Sequence, residues 1–204
     1  MNGTLVHLVR HGEVYNPDKI LYGRLPGYHL SARGRSMAAA TATSFTGHDV
    51  VLLAASPLTR AQETAAPIAE VTGCEIDTWP QIVEAGNDYT GLHIKGWDSA
   101  LWNPRQWPKL RNPLRPSWGE PYTEIAARMM GALHRAADEA KGHEAILVSH
   151  ELPVVMVQRT IAGQPLPHNP ARRRCSLASV TSVYVENSQI VDMYYSEPAA
   201  EVTR

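Results

Sequence analysis

The stretch Leu8–Val14, LVRHGEV, decides how this chain is read. An apolar run that begins at Thr4 ends abruptly in an arginine, a histidine, a glycine and a glutamate. A short apolar run of this kind reads as a buried strand. Polar chemistry is then placed at the strand's carboxyl end. His11 has three readings there: a reactive imidazole, a metal ligand, or a hydrogen-bonded bystander. Its neighbours in the fold have to decide between them.

Two further runs resemble the first. Asp49–Ala55, DVVLLAA, and Glu144–Ser149, EAILVS, each read as buried strands, and Glu75–Trp79 as a shorter one. Helical patterns lie between them. Ser31 is placed to cap a helix through Gly34 and Ala40 that ends near Gly47. Ser56-Pro57 predicts a second helix, with serine as cap, proline in the first turn, a kink at Pro67 and an end at Gly73. A long amphipathic helix ends at Gly142, and residues 152–162 suit another that ends at Gly163. Cys175–Val185 and Ile190–Tyr195 read as two closing strands.

Strand alternating with helix predicts an α/β fold, a three-layer sandwich whose mostly parallel central sheet is flanked by helices. Residues 1–204 are expected to form a single domain. From Ala85 to Trp118 the pattern fails: Trp97, Trp102, Trp107 and Trp118 alternate with prolines and basic residues. That stretch is too long for a plain connection and reads as a small Trp-rich cap or lid. The tryptophans then either pack the cap or line a pocket.

The chain has 204 residues, of which 44% are hydrophobic and 19% charged, enough for one sizeable core. With a formal net charge of -1, no bulk attraction to nucleic acid or membrane is expected, so anion recognition must come from local arginines. Cys74 and Cys175 form neither a metal-binding spacing nor a disulfide framework. No signal-peptide pattern and no membrane-length apolar run is present, which leads to the expectation of a cytoplasmic protein.

In open α/β sheets, ligands sit beyond the carboxyl ends of the strands. That rule gathers residues that are far apart in sequence. Arg10 and His11 follow the first strand, Arg60 lies in the first turn after the second, and His150 follows EAILVS. Two guanidinium forks suit phosphate or carboxylate oxygens. Two imidazoles can attack, relay a proton or donate hydrogen bonds. His11-Gly12-Glu13 matches half of a zinc-deaminase signature, but P-C-x-x-C and H-E-x-x-H are both absent. The two arginines would also oppose a divalent cation there, so no metal ligands are expected, and no cofactor is expected for the protein. Convergence with Arg10, Arg60 and His150 also weakens the bystander reading. A phosphate-binding module without chemistry would lack a proton donor for a leaving group. Glu84, after the third strand, is the best candidate for that donor.

These residues carry a resemblance. LVRHGEV, SPLTRAQETA and VSH, in this order with a glutamate between the second and third, resemble the histidine phosphatase superfamily, also called phosphoglycerate-mutase-like. The likeness runs from residue 4 to about residue 185. SWGEPYTEIAARM and CSLASVTSV resemble the family's later motifs. The resemblance implies that His11 is the nucleophile that becomes phosphohistidine. It implies that Arg10, Arg60 and His150 form the phosphate pocket and that Glu84 is the proton donor. Asn16, Tyr22 and Gly23 would contact substrate. Asn16 stands five residues after His11 where the family often has an asparagine at six, and His150-Glu151 replaces the usual His-Gly. Glu151 therefore puts a carboxylate beside the substrate pocket or points it outward.

The expected activity is hydrolysis of a small phosphorylated metabolite, a phosphomonoester, without metal. A phosphoglycerate-mutase-type phosphotransferase and a non-catalytic phospho-ligand-binding protein are the alternatives. The basic run Arg172-Arg173-Arg174 either grips a second anionic group or is an exposed loop cluster. Among partners, only the phosphorylated substrate is implied, and a homodimer is left open.

Overall fold

A computed structural model describes residues 3–93, 99, 102 and 118–202. Six strands form one sheet: β1 (Gly3–Arg10), β2 (Val50–Ala55), β3 (Ile76–Thr78), β4 (Glu144–Ser149), β5 (Val180–Glu186) and β6 (Gln189–Ser196). Their order across the sheet is β3-β2-β4-β1-β5-β6. The pairings β3/β2, β2/β4 and β4/β1 are parallel, whereas β1/β5 and β5/β6 are antiparallel. The expected parallel sheet is thus present, with an antiparallel hairpin on one side.

Four helices flank the sheet: α1 (Ala32–Thr43), α2 (Thr59–Thr72), α3 (Tyr122–Glu139) and α4 (Glu151–Ile161). Alternation along β1 sorts two cores. Val6 and Leu8 face the cluster that holds Ile125, Met129 and Leu133 of α3 and Val154 of α4. Val9 faces the cluster that holds Ala61, Ala65 and Ile68 of α2. On α3, Ile125, Met129, Ala132, Leu133 and Ala136 recur at helical spacing on the buried face. Complete burial of Leu133 alone contributes roughly 1.5–3 kcal/mol.

Helix ends follow the sequence in part. Ser31 caps α1 as expected, its side chain accepting from the backbone N–H of Gly34. Gly73 closes α2 in the left-handed conformation. The start of α2 differs from expectation. The helix begins at Thr59 after Leu58, without a side-chain cap, so Pro57 precedes it. Ser56 is buried and its hydroxyl is drawn to His150. Pro67 lies inside α2, which continues to Thr72. The fifth strand also starts later than Cys175, at Val180. The backbone before it serves β1 instead: Cys175 O accepts from the Arg10 side chain and Ser179 O from the Arg10 backbone N–H.

Of the expected cap, Trp97 and Trp107 lie outside the described residues, Trp102 is exposed and Trp118 is half-buried. Among the described residues, no helix is long and apolar enough to cross a membrane.

Candidate active site

β4 sits between β1 and β2, so three adjacent parallel strands end side by side. This juxtaposition brings the cluster together. The His11 backbone N–H donates to Ser149 O at 3.1 Å, and the Ser56 N–H to Val148 O at 2.9 Å. The rings of His11 and His150 lie 5.1 Å apart, tilted by 60°.

His11 is held in one tautomer from both sides. Its Nδ1 lies 2.8 Å from Gly12 O, an acceptor only, so Nδ1 carries the proton. The opposite nitrogen, Nε2, accepts from Arg60 Nε–H at 3.3 Å. Nε2 thus carries the lone pair. Burial first, then the charges of Arg60 and Arg10, hold the His11 pKa well below the ordinary value of 6.5. The imidazole is neutral near neutral pH and its free nitrogen is nucleophilic.

Gly12 is required for a close approach, not for an unusual turn. A Cβ there would meet Gly34 O at 2.5 Å, and its backbone N–H donates to Thr64 Oγ1 at 3.1 Å. A Cβ on Gly34 would collide with Glu13 O. Glu13 completes the tie: its carboxylate accepts from Ser31 Oγ at 2.6 Å, and Ser31 Oγ accepts from Gly34 N–H at 2.9 Å. The loop that carries His11 is therefore packed, backbone to backbone, on the first turn of α1.

Arg60 is almost wholly buried. Its Nη2 donates to Gly23 O at 2.7 Å, and its guanidinium lies 4.8 Å from the centre of the Tyr22 ring. Arg10 donates from Nη1 to Cys175 O at 2.5 Å and pairs through Nη2 with Glu151 at 2.9 Å. Its Nε is buried without a partner. His150 places Nε2 2.7 Å from Ser56 Oγ, while its Nδ1 is also buried and unpartnered. Burial, then His11 and the arginines, push His150 well below 6.5. It is neutral, so it serves as a hydrogen-bonding group and adds no charge. Among the described residues, these two nitrogens are the buried side-chain polar atoms that lack a hydrogen-bond partner.

A cavity of about 360 Å³ opens over the cluster. Arg10, His11, Tyr22, Gly23, Glu84 and Glu151 line it, so most of the expected site residues meet in one place. Arg60 and His150 are buried and not among the lining residues. Asn16 does not line it either: its amide is engaged with both the N–H and the carbonyl of Ile20. Burial raises the Glu84 carboxyl pKa above its ordinary 4.5, against the hydrogen bond from Ala85 N–H and the two arginines. That shift suits a proton donor.

Sequence reasoning missed Ser56 and Tyr122 as contributors and left open which way Arg173, Trp118 and Glu151 would point. Ser56, read as a helix cap, orients His150. Of the run Arg172–Arg174, Arg173 enters the cavity, where it meets Glu151 at 3.2 Å and His168 at 2.9 Å. Trp118 and Tyr122 form part of the cavity wall. Glu151 points inward, between Arg10 and Arg173. A larger cavity, about 540 Å³, lies at the other end of the sheet near Thr4 and Gly142, away from this chemistry.

Residues 6–194 match the sequence model of the histidine phosphatase superfamily (branch 1). The chain belongs to that superfamily. A relative, the uncharacterized protein Rv0525 of Mycobacterium tuberculosis, is 51% identical over 97% of this chain and 98% of its own length. A probable phosphoglycerate mutase of Photorhabdus laumondii is 30% identical over 97% of this chain and 93% of its own. Among solved structures, a mycobacterial glucosyl-3-phosphoglycerate phosphatase superposes with a TM-score of 0.75 at 22% identity, covering 96% of this chain and 98% of the other. That last likeness concerns the fold. Enzymatic phosphoryl transfer is the activity that membership in the superfamily carries.

Proposed function

We propose that this protein is a phosphomonoester hydrolase that works through a phosphohistidine on His11 and acts on a small phosphorylated metabolite. The observation that carries the reading is the pair of unpartnered buried nitrogens, Arg10 Nε and His150 Nδ1, beside a neutral His11. Leaving buried polar groups unsatisfied costs about 1–3 kcal/mol each. A bound phosphoryl group would accept from Arg10 Nε–H, and from His150 Nδ1–H in the tautomer whose Nε2 accepts from Ser56 Oγ–H.

The chemistry follows from the groups in place. His11 Nε2 attacks phosphorus as the bond to the leaving oxygen breaks. The Glu84 carboxyl gives that oxygen its proton, and the alcohol departs. Arg10, Arg60 and His150 hold the non-bridging oxygens, and the arginines stabilise charge that is already positioned for the transition state. Water then attacks the phosphohistidine, Glu84 takes its proton, the P–N bond breaks and inorganic phosphate leaves. The charge needed for the transition state comes from guanidinium groups, so we expect no metal requirement.

Glu151 bears on substrate choice. Its carboxylate offsets Arg10 and Arg173, so the cavity lining offers little net positive charge to a second anionic group. Leu21, Trp118 and Tyr122 add an apolar surface to that lining. The arrangement favours a phosphomonoester whose leaving group is uncharged. A mutase reading is supported by Arg173 in the cavity and by the relative named as a probable mutase. The two readings separate in one assay. Chelator-treated protein is screened against a panel of phosphorylated metabolites, with free phosphate and positional isomers both measured. Release of phosphate from neutral-alcohol esters supports the hydrolase. Isomer formation from phosphoglycerate without free phosphate sinks it.

A further inference from the structure

We propose that His7, His48 and Glu144 form a binding site for one divalent transition-metal ion of the zinc class, at the end of the sheet opposite the catalytic cluster. The residues come from three separate segments: His7 from within β1, His48 from the turn before β2 and Glu144 from the first position of β4. Their side chains meet at one point. His7 Nε2 lies 2.9 Å and His48 Nδ1 2.8 Å from the same oxygen, Glu144 Oε2. One ligand atom from each residue lies within 4.8 Å of the others.

Two imidazole nitrogens and a carboxylate oxygen are a donor set that zinc accepts, with a fourth position open to water. Metal–ligand bonds of roughly 2.0–2.2 Å require the donors to stand a few tenths of an ångström further apart than they do. A turn of the exposed His48 side chain provides that opening. Support around the site is in place. Ser182 Oγ sits 2.8 Å from His7 Nδ1, the contact to the second ring nitrogen that orients a ligating histidine. Phe45 packs in T-shaped geometry against both imidazoles, with ring centres 5.2 Å and 5.7 Å apart.

Access and charge also agree. The His48 side chain is 40% exposed, and a cavity of about 400 Å³ reaches both histidines and Ser182. Its lining holds Glu197 and neither arginine nor lysine. That is the reverse of the catalytic cluster, where two arginines repel a cation. His7 stands four residues before His11 along β1, so at about 3.3 Å per residue the site lies roughly 13 Å from the nucleophile. The ion therefore ties β1, β4 and the turn before β2 together, and takes no part in phosphoryl transfer.

Titration of the chelator-stripped protein with zinc by calorimetry tests the assignment. One saturable equivalent is expected in the wild type and in His143→Ala, which removes a neighbouring exposed imidazole. His48→Ala and Glu144→Gln should weaken that binding at least tenfold, and saturating zinc should raise the melting temperature of the wild type but not of either variant. Absence of a saturable equivalent, or equal affinity in His48→Ala and Glu144→Gln, overturns it.

Discussion

Arg60 Nε–H points at His11 Nε2 across 3.3 Å, while Gly12 O holds the proton on the other ring nitrogen. A permanent cation thus faces the one nitrogen at which a second proton would bind. The imidazolium is disfavoured and the lone pair is directed into the site. The contact is long enough for a phosphoryl group to displace it.

This relationship sets the pH profile. The competent state has His11 neutral and Glu84 protonated. His11 titrates well below 6.5, and Glu84 above 4.5. For an alkyl phosphate, kcat/KM should rise as His11 loses its proton on the acid side and fall as Glu84 loses its own on the alkaline side. The acid limb should lie well below 6.5. An acid limb at 6.5 or higher, followed over pH 3.5–9, would contradict a nucleophile held neutral by burial and arginine.

Glu84→Gln keeps the shape of the side chain and removes the titrating proton. kcat/KM for alkyl phosphates, which reports formation of the phosphohistidine, should fall by about 10²–10⁴. Aryl phosphates, whose leaving groups need little protonation, should lose much less in kcat/KM, and the alkaline limb should vanish. Equal losses on both substrates would remove Glu84 from the acid role.

Glu151→Gln frees Arg10 and Arg173 from a shared carboxylate. KM for a phosphate ester with a second anionic group should drop about tenfold, or ~1.4 kcal/mol. A neutral-alcohol ester should change less. A rise in KM for both would mean that Glu151 acts by positioning Arg10, not by screening it.

Gly34→Ala places a methyl group against the carbonyl of Glu13, next to the nucleophile. Overpacking against backbone should cost about 1–3 kcal/mol and depress kcat as the His11 loop shifts. Gly131→Ala is the counterpart. Gly131 lies within α3, a Cβ there meets nothing within 4 Å, and a gain of roughly 0.5–1 kcal/mol is expected. Thermal denaturation of both variants reads the contrast.

Much of this was legible in the sequence because the decisive signals are local. Apolar runs that end in Arg10-His11 and in His150 mark strand ends, and the rule for parallel sheets joins them. Glu84 was legible through its place after the third strand. The rest depends on contacts between distant segments. Ser56-Pro57 carries a helix-start signal, but its hydroxyl is drawn to a histidine 94 residues away. Nothing local separates Arg173 from Arg172 and Arg174; the meeting with Glu151 selects it. Asn16 has the right residue type for a substrate contact, yet its amide closes its own loop on Ile20. The convergence of His7, His48 and Glu144 spans three elements and leaves no spacing motif.

The central claim is that His11 carries the phosphoryl group. Protein mixed with excess substrate and quenched with base within milliseconds should yield a phosphopeptide that contains His11. The phosphate should be lost in acid, and His11→Ala, folded as judged by circular dichroism, should neither trap phosphate nor turn over. Turnover retained in that variant, or phosphate mapped to another residue, would contradict the account.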